Sequence, residues 1–402
     1  MLPLFFIHLP KAAGSSVVSC MALNNGSEGL TYFEWPTDGQ WHAEKESLIK
    51  TGLGTGHQSY GIHNALKMPL NYCTVFREPL SRHISHFFYA LSQKNGEVLS
   101  GASVSLEEAL VYRKKISLNE WVGKSLYARN HMCMMLSGSS HVGPEQFEIA
   151  KKNLANHVTT FGFSSDLSHF LLQLCANSKM DLPFSVRTNE TINASRPDEH
   201  PLSEEAKQRF YELNQFDSML YEYAQKLQSE RAHDPLEQAA IDCVRKVQKS
   251  IDEIKSPNFN SSFLFKTDDK FLTEIKNRIH EHDILAIQTY LSHAREKAPI
   301  AKDLHTGFVD NISGNSVCGW AINLSSPDEK VIIDVISEGK VVATGENNLP
   351  RHDLLAAGYP TSKAGFSIAL PDNFHQDLSI KIQGSEDLLG GNAVWRHGWY
   401  CS

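Results

Sequence analysis

The chain has 402 residues, 41% hydrophobic and 21% charged, with a formal net charge of −8. That length exceeds one ordinary domain, so two domains, or one large domain with an extension, are expected. The acidic balance excludes a general nucleic-acid binder while leaving room for a local basic pocket. Met1 to Leu9 holds no basic residue of the kind that opens a signal peptide, and no apolar run reaches the length of a membrane span. A cytoplasmic protein without stable membrane insertion is expected. The seven cysteines are odd in number, scattered and without a CxxC, and read as reduced thiols with no metal site.

In chain order, the apolar run Leu4-Phe5-Phe6-Ile7 has strand length and feeds His8-Leu9-Pro10-Lys11-Ala12-Ala13-Gly14-Ser15-Ser16, ahead of a helix predicted from Val17 to Met21. A strand, a loop with one lysine and one glycine, and two hydroxyls at a helix N-terminus are the parts of a phosphate cradle. Lys11, Ala12, Ala13, Gly14, Ser15 and Ser16 are its candidate residues. A Walker A loop places its lysine after the glycines, whereas Lys11 precedes Gly14 and no Gly-Lys pair follows. A P-loop kinase or NTPase using Lys11 is kept as a rival reading.

Residues 24–50 lack clear periodicity and read as loop with a short helix. Gly54-Thr55-Gly56-His57-Gln58-Ser59-Tyr60 and Gly61-Ile62-His63 come next, and glycines flanking a histidine suggest a strand end that holds the imidazole close to another backbone. Tyr72 to Phe76 is β-rich and alternating, and Pro79 suits the first turn of a following helix. On that helix Arg82, Ser85 and Tyr89 share a face. Arg77 at the strand end and Ser85 in the helix can converge on one phosphate, as a guanidinium fork plus a hydroxyl donor.

Pro10-Lys11-x-x-Gly14-Ser15-Ser16 after a strand resembles the 5′-phosphosulfate loop of sulfotransferases, in the Ile-His-x-Pro-Lys form of the carbohydrate enzymes. Thr74-Val75-Phe76-Arg77-Glu78-Pro79 with Ser85 resembles their 3′-phosphate element. Asn130 to Gly138 and Val158 to Phe163 add weaker matches, and the similarity spans residues 3–228. The family is that of PAPS-dependent carbohydrate sulfotransferases, heparan sulfate 2-O-sulfotransferase-like and bacterial sulfotransferase family 2, where PAPS is 3′-phosphoadenosine 5′-phosphosulfate. Two separated anion sites suit a nucleotide phosphorylated at both ends, whereas ATP needs one continuous track.

The resemblance implies an α/β, P-loop-like sulfotransferase fold with a central parallel sheet. It implies sulfuryl transfer from PAPS to a hydroxyl of a carbohydrate acceptor, in a bacterial protein, with no metal required. His57 matches the proposed base, with His63 as the alternative. Lys11, the loop N–H groups and Ser15 and Ser16 offset charge on the departing adenosine 3′,5′-bisphosphate, while Arg77 and Ser85 fix its 3′-phosphate. Related enzymes close a loop over the nucleotide where this chain has Thr188 to Pro197, which makes Asn193, Ser195 and Arg196 candidates. A second rival is a glycan-binding protein on the same fold without activity.

The remaining segments complete the expected layout. Ser103 to Tyr127, Gln146 to His157 and Leu167 to Ala176 read as helical; Ser203 caps another helix, and Tyr211 to Ala224 forms a closing helix for packing. Residues 229–303 form a helical extension with apolar spacing at Ile241, Val244, Val247 and Ile251, read as packing on its own domain in preference to an intermolecular coiled coil, with a homodimer left open. Residues 304–402 read as a small β-sandwich, in which Trp320 is a core residue in preference to a sugar platform. Its Gly307-Phe308-Val309-Asp310 and Arg351-His352-Asp353 phrases resemble a β-module found beside glycan-modifying enzymes, with glycan binding and assembly both open. The sulfotransferase domain is bounded at 1–228.

Overall fold

A computed structural model describes residues 2–26, 29–33, 41–92, 106–126, 129–186, 201–231, 234–253, 273, 277, 279, 281–299, 301, 303–313, 315–371, 377–384, 389–391 and 394–395. Contacts divide the chain into two units, Met1–Tyr60 with Asn71–Ile300, and Gly61–Leu70 with Ala301–Ser402.

The first unit is α/β. Strands β1 (Leu4–Ile7), β2 (Thr31–Phe33), β3 (Leu53–Gly56), β4 (Asn71–Phe76) and β5 (Val158–Phe163) form one sheet in the order β2-β3-β1-β4-β5. Every pairing is parallel. Both β1 and β4 are buried at every residue, and in β1 this appears as a continuous apolar run. The chain leaves β1 toward the β3 and β2 side and leaves β4 toward the β5 side. The carboxyl ends of β1 and β4 therefore flank the crevice where open α/β sheets bind ligands.

Helices α1 (Gly14–Asn25) and α2 (Trp41–Thr51) follow β1 and β2. The stretch expected to be mainly loop thus holds an edge strand and a three-turn helix, and three residues of β2 are too few for alternation to register. α3 (Ile62–Leu66) belongs to the second unit, and α4 (Pro79–Ser92) follows β4. The helix expected across 103–127 is two short ones, α5 (Leu106–Tyr112) and α6 (Leu118–Lys124). Lys114 turns left-handed at φ 55°, and Ser117 with Glu120 builds a capping box that starts α6 afresh.

α7 (His131–Ser137), α8 (Pro144–Asn156), α9 (Leu167–Ala176), α10 (Glu204–Leu213), α11 (Gln215–Ser229), α12 (Pro235–Asp252) and α13 (Glu281–Arg295) also belong to this unit. Ser203 caps α10 by accepting from the Ala206 N–H at 3.1 Å. Leu4, Phe6, Val17, Phe170 and Leu174 share one core with Val244, Val247 and Ile251 of α12 and Ile287 and Leu291 of α13. The apolar stripe of the helical extension is therefore spent on the sheet's own core. A second cluster joins Phe87 and Phe88 of α4, Val111 of α5, Trp121 of α6 and Phe210 of α10.

In the second unit, β6 (His305–Ser313), β7 (Ser316–Asn323), β8 (Ile332–Ser337), β9 (Lys340–Glu346), β10 (Leu349–Pro350), β11 (Lys363–Ala369), β12 (Leu378–Ile382), β13 (Gly390–Gly391) and β14 (Val394–Trp395) form two sheets, with α14 (His352–Ala356) between β10 and β11. Their orders are β10-β11-β7-β6-β13 and β14-β12-β8-β9. Val317 and Phe366 of one sheet pack with Val335 and Ile380 of the other, so the two lie face to face. Arg351 reaches Asp310 at 2.6 Å and Asp353 at 2.8 Å, which ties together the two charged phrases seen in the sequence. Trp320 is 8% exposed and meets Tyr359 edge-on at 4.9 Å, a core position. Among the described residues no helix is long and apolar enough to cross a membrane.

Candidate functional site

The loop between β1 and α1 is built on two non-glycine residues in the left-handed region, Lys11 at φ 64° and Ala13 at φ 65°. Each costs about 1–2 kcal/mol for an L residue, and strain of this kind gathers at ligand-binding turns. Ala13 is the N-cap of α1 and offers no side-chain acceptor. Among the described residues no backbone acceptor meets the N–H of Ala13 or Gly14. Two donors thus stand at a helix N-terminus, where the first N–H groups have no partner within the helix. Ser15 and Ser16 occupy the first turn, both half-buried. The Lys11 ammonium lies over the Tyr89 ring of α4, 3.9 Å from its centroid.

Arg77 follows the last residue of β4 and returns to this loop. Its Nη1 donates to the Lys11 carbonyl at 3.1 Å, and its Nε donates to Ser81 Oγ at 3.2 Å. The two elements expected from sequence to bind separate phosphates are therefore joined by a direct bond. Ser81 fixes the guanidinium, while Ser85 lies further along α4 and is 6% exposed. Glu78 Oε1 and Oε2 accept from the N–H groups of Leu80 at 3.0 Å and Ser81 at 2.6 Å. Glu78 thus caps α4, so anion binding beside it rests on side chains and not on that helix end.

His57 follows the last residue of β3. Its Nδ1 lies 2.9 Å from the carbonyl oxygen of His8. A carbonyl can only accept, so Nδ1 carries the proton and the neutral ring keeps a lone pair on Nε2, the arrangement a general base needs. Burial pulls the His57 pKa below its ordinary 6.5, and the bond to His8 opposes this. The His8 and His57 rings are 4.3 Å apart at their centroids. The alternative base, His63, is 2% exposed in α3 of the second unit.

Gly14 explains itself by what lies beside it: a Cβ built there would fall 1.9 Å from His8 Nε2. Alanine at this first helical position gains about 1 kcal/mol of helix propensity over glycine, but forcing a ring aside in a packed site costs about 1–3 kcal/mol. Gly14→Ala is therefore expected to destabilise the protein and to displace His8 from His57. Denaturant unfolding checks the first effect, and an unchanged or raised midpoint would contradict it.

Behind the site, Arg82 and Asp217 form a pair at 3.7 Å, 1% and 0% exposed. Asp217 accepts from the N–H groups of Met132 at 3.2 Å and Cys133 at 2.8 Å, capping α7. Asn130 in turn accepts from Phe216 at 3.1 Å and Asp217 at 3.2 Å, capping α11. The two helices hold each other's N-termini, a role beyond the packing expected of 211–224. His86 on α4 meets Glu108 of α5 at 2.8 Å, both buried.

The structure thus brings Lys11, Ala12, Ala13, Gly14, Ser15, Ser16, His57 and Arg77 to one end of the sheet, the crevice between β1 and β4 and its β3 neighbour. Asn193, Ser195 and Arg196 lie outside the described residues. Sequence reasoning missed His8, Ser81 and Tyr89 as partners of the site. Ser81 had a signal, four residues after Arg77 in the first helical turn; His8 was visible only as part of the loop run. No protein-family model matches the chain, and no curated protein matches it.

Proposed function

We propose that this chain transfers a sulfuryl group from PAPS to a hydroxyl of a carbohydrate acceptor, on a P-loop-like sulfotransferase fold. The observation that carries the reading is the bond from Arg77 to the Lys11 carbonyl, which sets a guanidinium against a strained, lysine-bearing loop at the sheet's switch point. The donor set fits an anionic nucleotide: loop N–H groups that meet no backbone acceptor among the described residues, a lysine, two serines and an arginine held by its neighbours. PAPS would supply an activated sulfuryl group and leave as adenosine 3′,5′-bisphosphate.

The chain's own residues do the rest. Lys11 and the N–H groups of Ala13 and Gly14 offset negative charge at the 5′ end, with Ser15 and Ser16 beside them. Arg77 and Ser85 hold the 3′-phosphate and set the register of the nucleotide. His57 Nε2 takes the acceptor hydroxyl's proton, and the His8 carbonyl keeps Nδ1–H in place as the ring becomes charged. Asn193, Ser195 and Arg196 are assigned to the nucleotide by the family resemblance alone.

Titration calorimetry tests this reading. The protein is expected to bind adenosine 3′,5′-bisphosphate, and Arg77→Ala to weaken that binding by about 10- to 100-fold, the worth of a hydrogen bond to a charged group. Arg77→Lys is not expected to restore it, because an ammonium cannot bond Ser81 and the Lys11 carbonyl from the same fork. Binding and turnover of ATP in place of the bisphosphate would establish the kinase or NTPase reading instead. Binding without transfer to any glycan acceptor would favour the inactive glycan-binding reading.

A further inference from the structure

His8 is used above only through its carbonyl, yet its ring is closely packed at the site. It stacks on Phe6 with centroids 5.7 Å apart and lies 4.3 Å from the His57 ring. Its Nε2 edge abuts Gly14, occupying the space a Cβ would take. Its Nδ1 is buried without a hydrogen-bond partner among the described residues.

A neutral imidazole has one N–H to place. On Nδ1 it would be an orphaned buried donor, the rarest kind of unsatisfied group. On Nε2 it lies against Gly14 of the loop, whose N–H meets no backbone acceptor among the described residues. His57 holds the opposite tautomer, since its Nδ1 is committed to the His8 carbonyl. We infer that His8 is an anion-binding residue of the phosphate loop, donating Nε2–H to an oxygen of the 5′ group, while His57 beside it accepts a proton.

Burial, followed by the neighbouring His57 and Lys11, keeps the His8 ring neutral well below the usual histidine range. The donor therefore stays a single N–H and does not become a second cation beside Lys11. This assignment rests on the phosphosulfate reading and adds to it the one donor that comes from β1's end and not from the loop proper.

The test uses the full chain with adenosine 3′,5′-bisphosphate as probe. His8→Phe keeps a ring and removes the donor, and is expected to weaken binding by about 10- to 100-fold. His8→Gln returns an N–H at similar reach and is expected to recover most of the loss. Nitrogen NMR of the histidine-labelled wild type is expected to show His8 as the Nε2–H tautomer and His57 as Nδ1–H, a readout that needs no variant to fold. Unchanged affinity in His8→Phe, or a proton on His8 Nδ1, overturns the assignment while leaving the phosphosulfate reading intact. A wild type that does not bind the bisphosphate overturns both.

Discussion

Replacing His57 by alanine is expected to lower the turnover of sulfuryl transfer by about 10²–10⁴-fold, the usual worth of a positioned general base. The nucleotide contacts lie on other residues, so affinity for adenosine 3′,5′-bisphosphate is expected to stay within about threefold of wild type, under 1 kcal/mol. The pH dependence separates this role from a structural one. A base works unprotonated, and burial sets the His57 pKa below 6.5. Wild-type activity should therefore climb with pH through a midpoint under that value and level off above it. The variant's residual rate should lack that acidic limb. A variant that keeps a tenth of the wild-type rate, or one with the same limb, would remove His57 from the chemistry.

The largest loss of stability is expected from Asp217→Ala. Arg82 and Asp217 are both buried, and a guanidinium cannot shed its charge as a carboxylate can. Removing Asp217 takes the carboxylate from beside that buried cation and also the acceptor from the N–H groups of Met132 and Cys133. Breaking one side of a buried pair costs about 3–5 kcal/mol. Arg82→Ala is expected to cost less, because burial already pushes the Asp217 carboxyl upward and proton uptake can neutralise it. Asp217→Asn should also fall between the two extremes, as it keeps an oxygen for the helix N–H groups. Urea denaturation of the variants measures the order, and a loss under about 1 kcal/mol for Asp217→Ala would contradict the assignment of this pair.

Much of the α/β unit could be read from sequence because its buried strands are rich in apolar, aromatic and β-branched residues. Leu4 to Ile7, Tyr72 to Phe76 and Val158 to Phe163 all lie in the parallel sheet. β2 escaped because an edge strand of three residues carries no pattern of its own. The break between α5 and α6 escaped because it depends on the φ of Lys114 and a local cap, neither of which alters hydrophobic spacing. Within the site, Lys11, Gly14, His57 and Arg77 were legible from type and position. The bonds that organise them were not, since Arg77 to Lys11 and His57 to His8 join residues far apart in the chain. Spacing along the chain suggested that Arg77 and Ser85 face one phosphate, but it did not single out Ser81 of the first helical turn, which bonds the Arg77 Nε.

The placement of α12 and α13 bears on where this protein can be cut. Val244, Val247, Ile251, Ile287 and Leu291 line the same interior as the sheet. A chain ended at residue 228, where the family resemblance stops, would bare the underside of α1 and α9 to solvent. Such a fragment should expose dye-binding apolar surface and aggregate, and recombinant work on the α/β unit alone needs to run through Arg295.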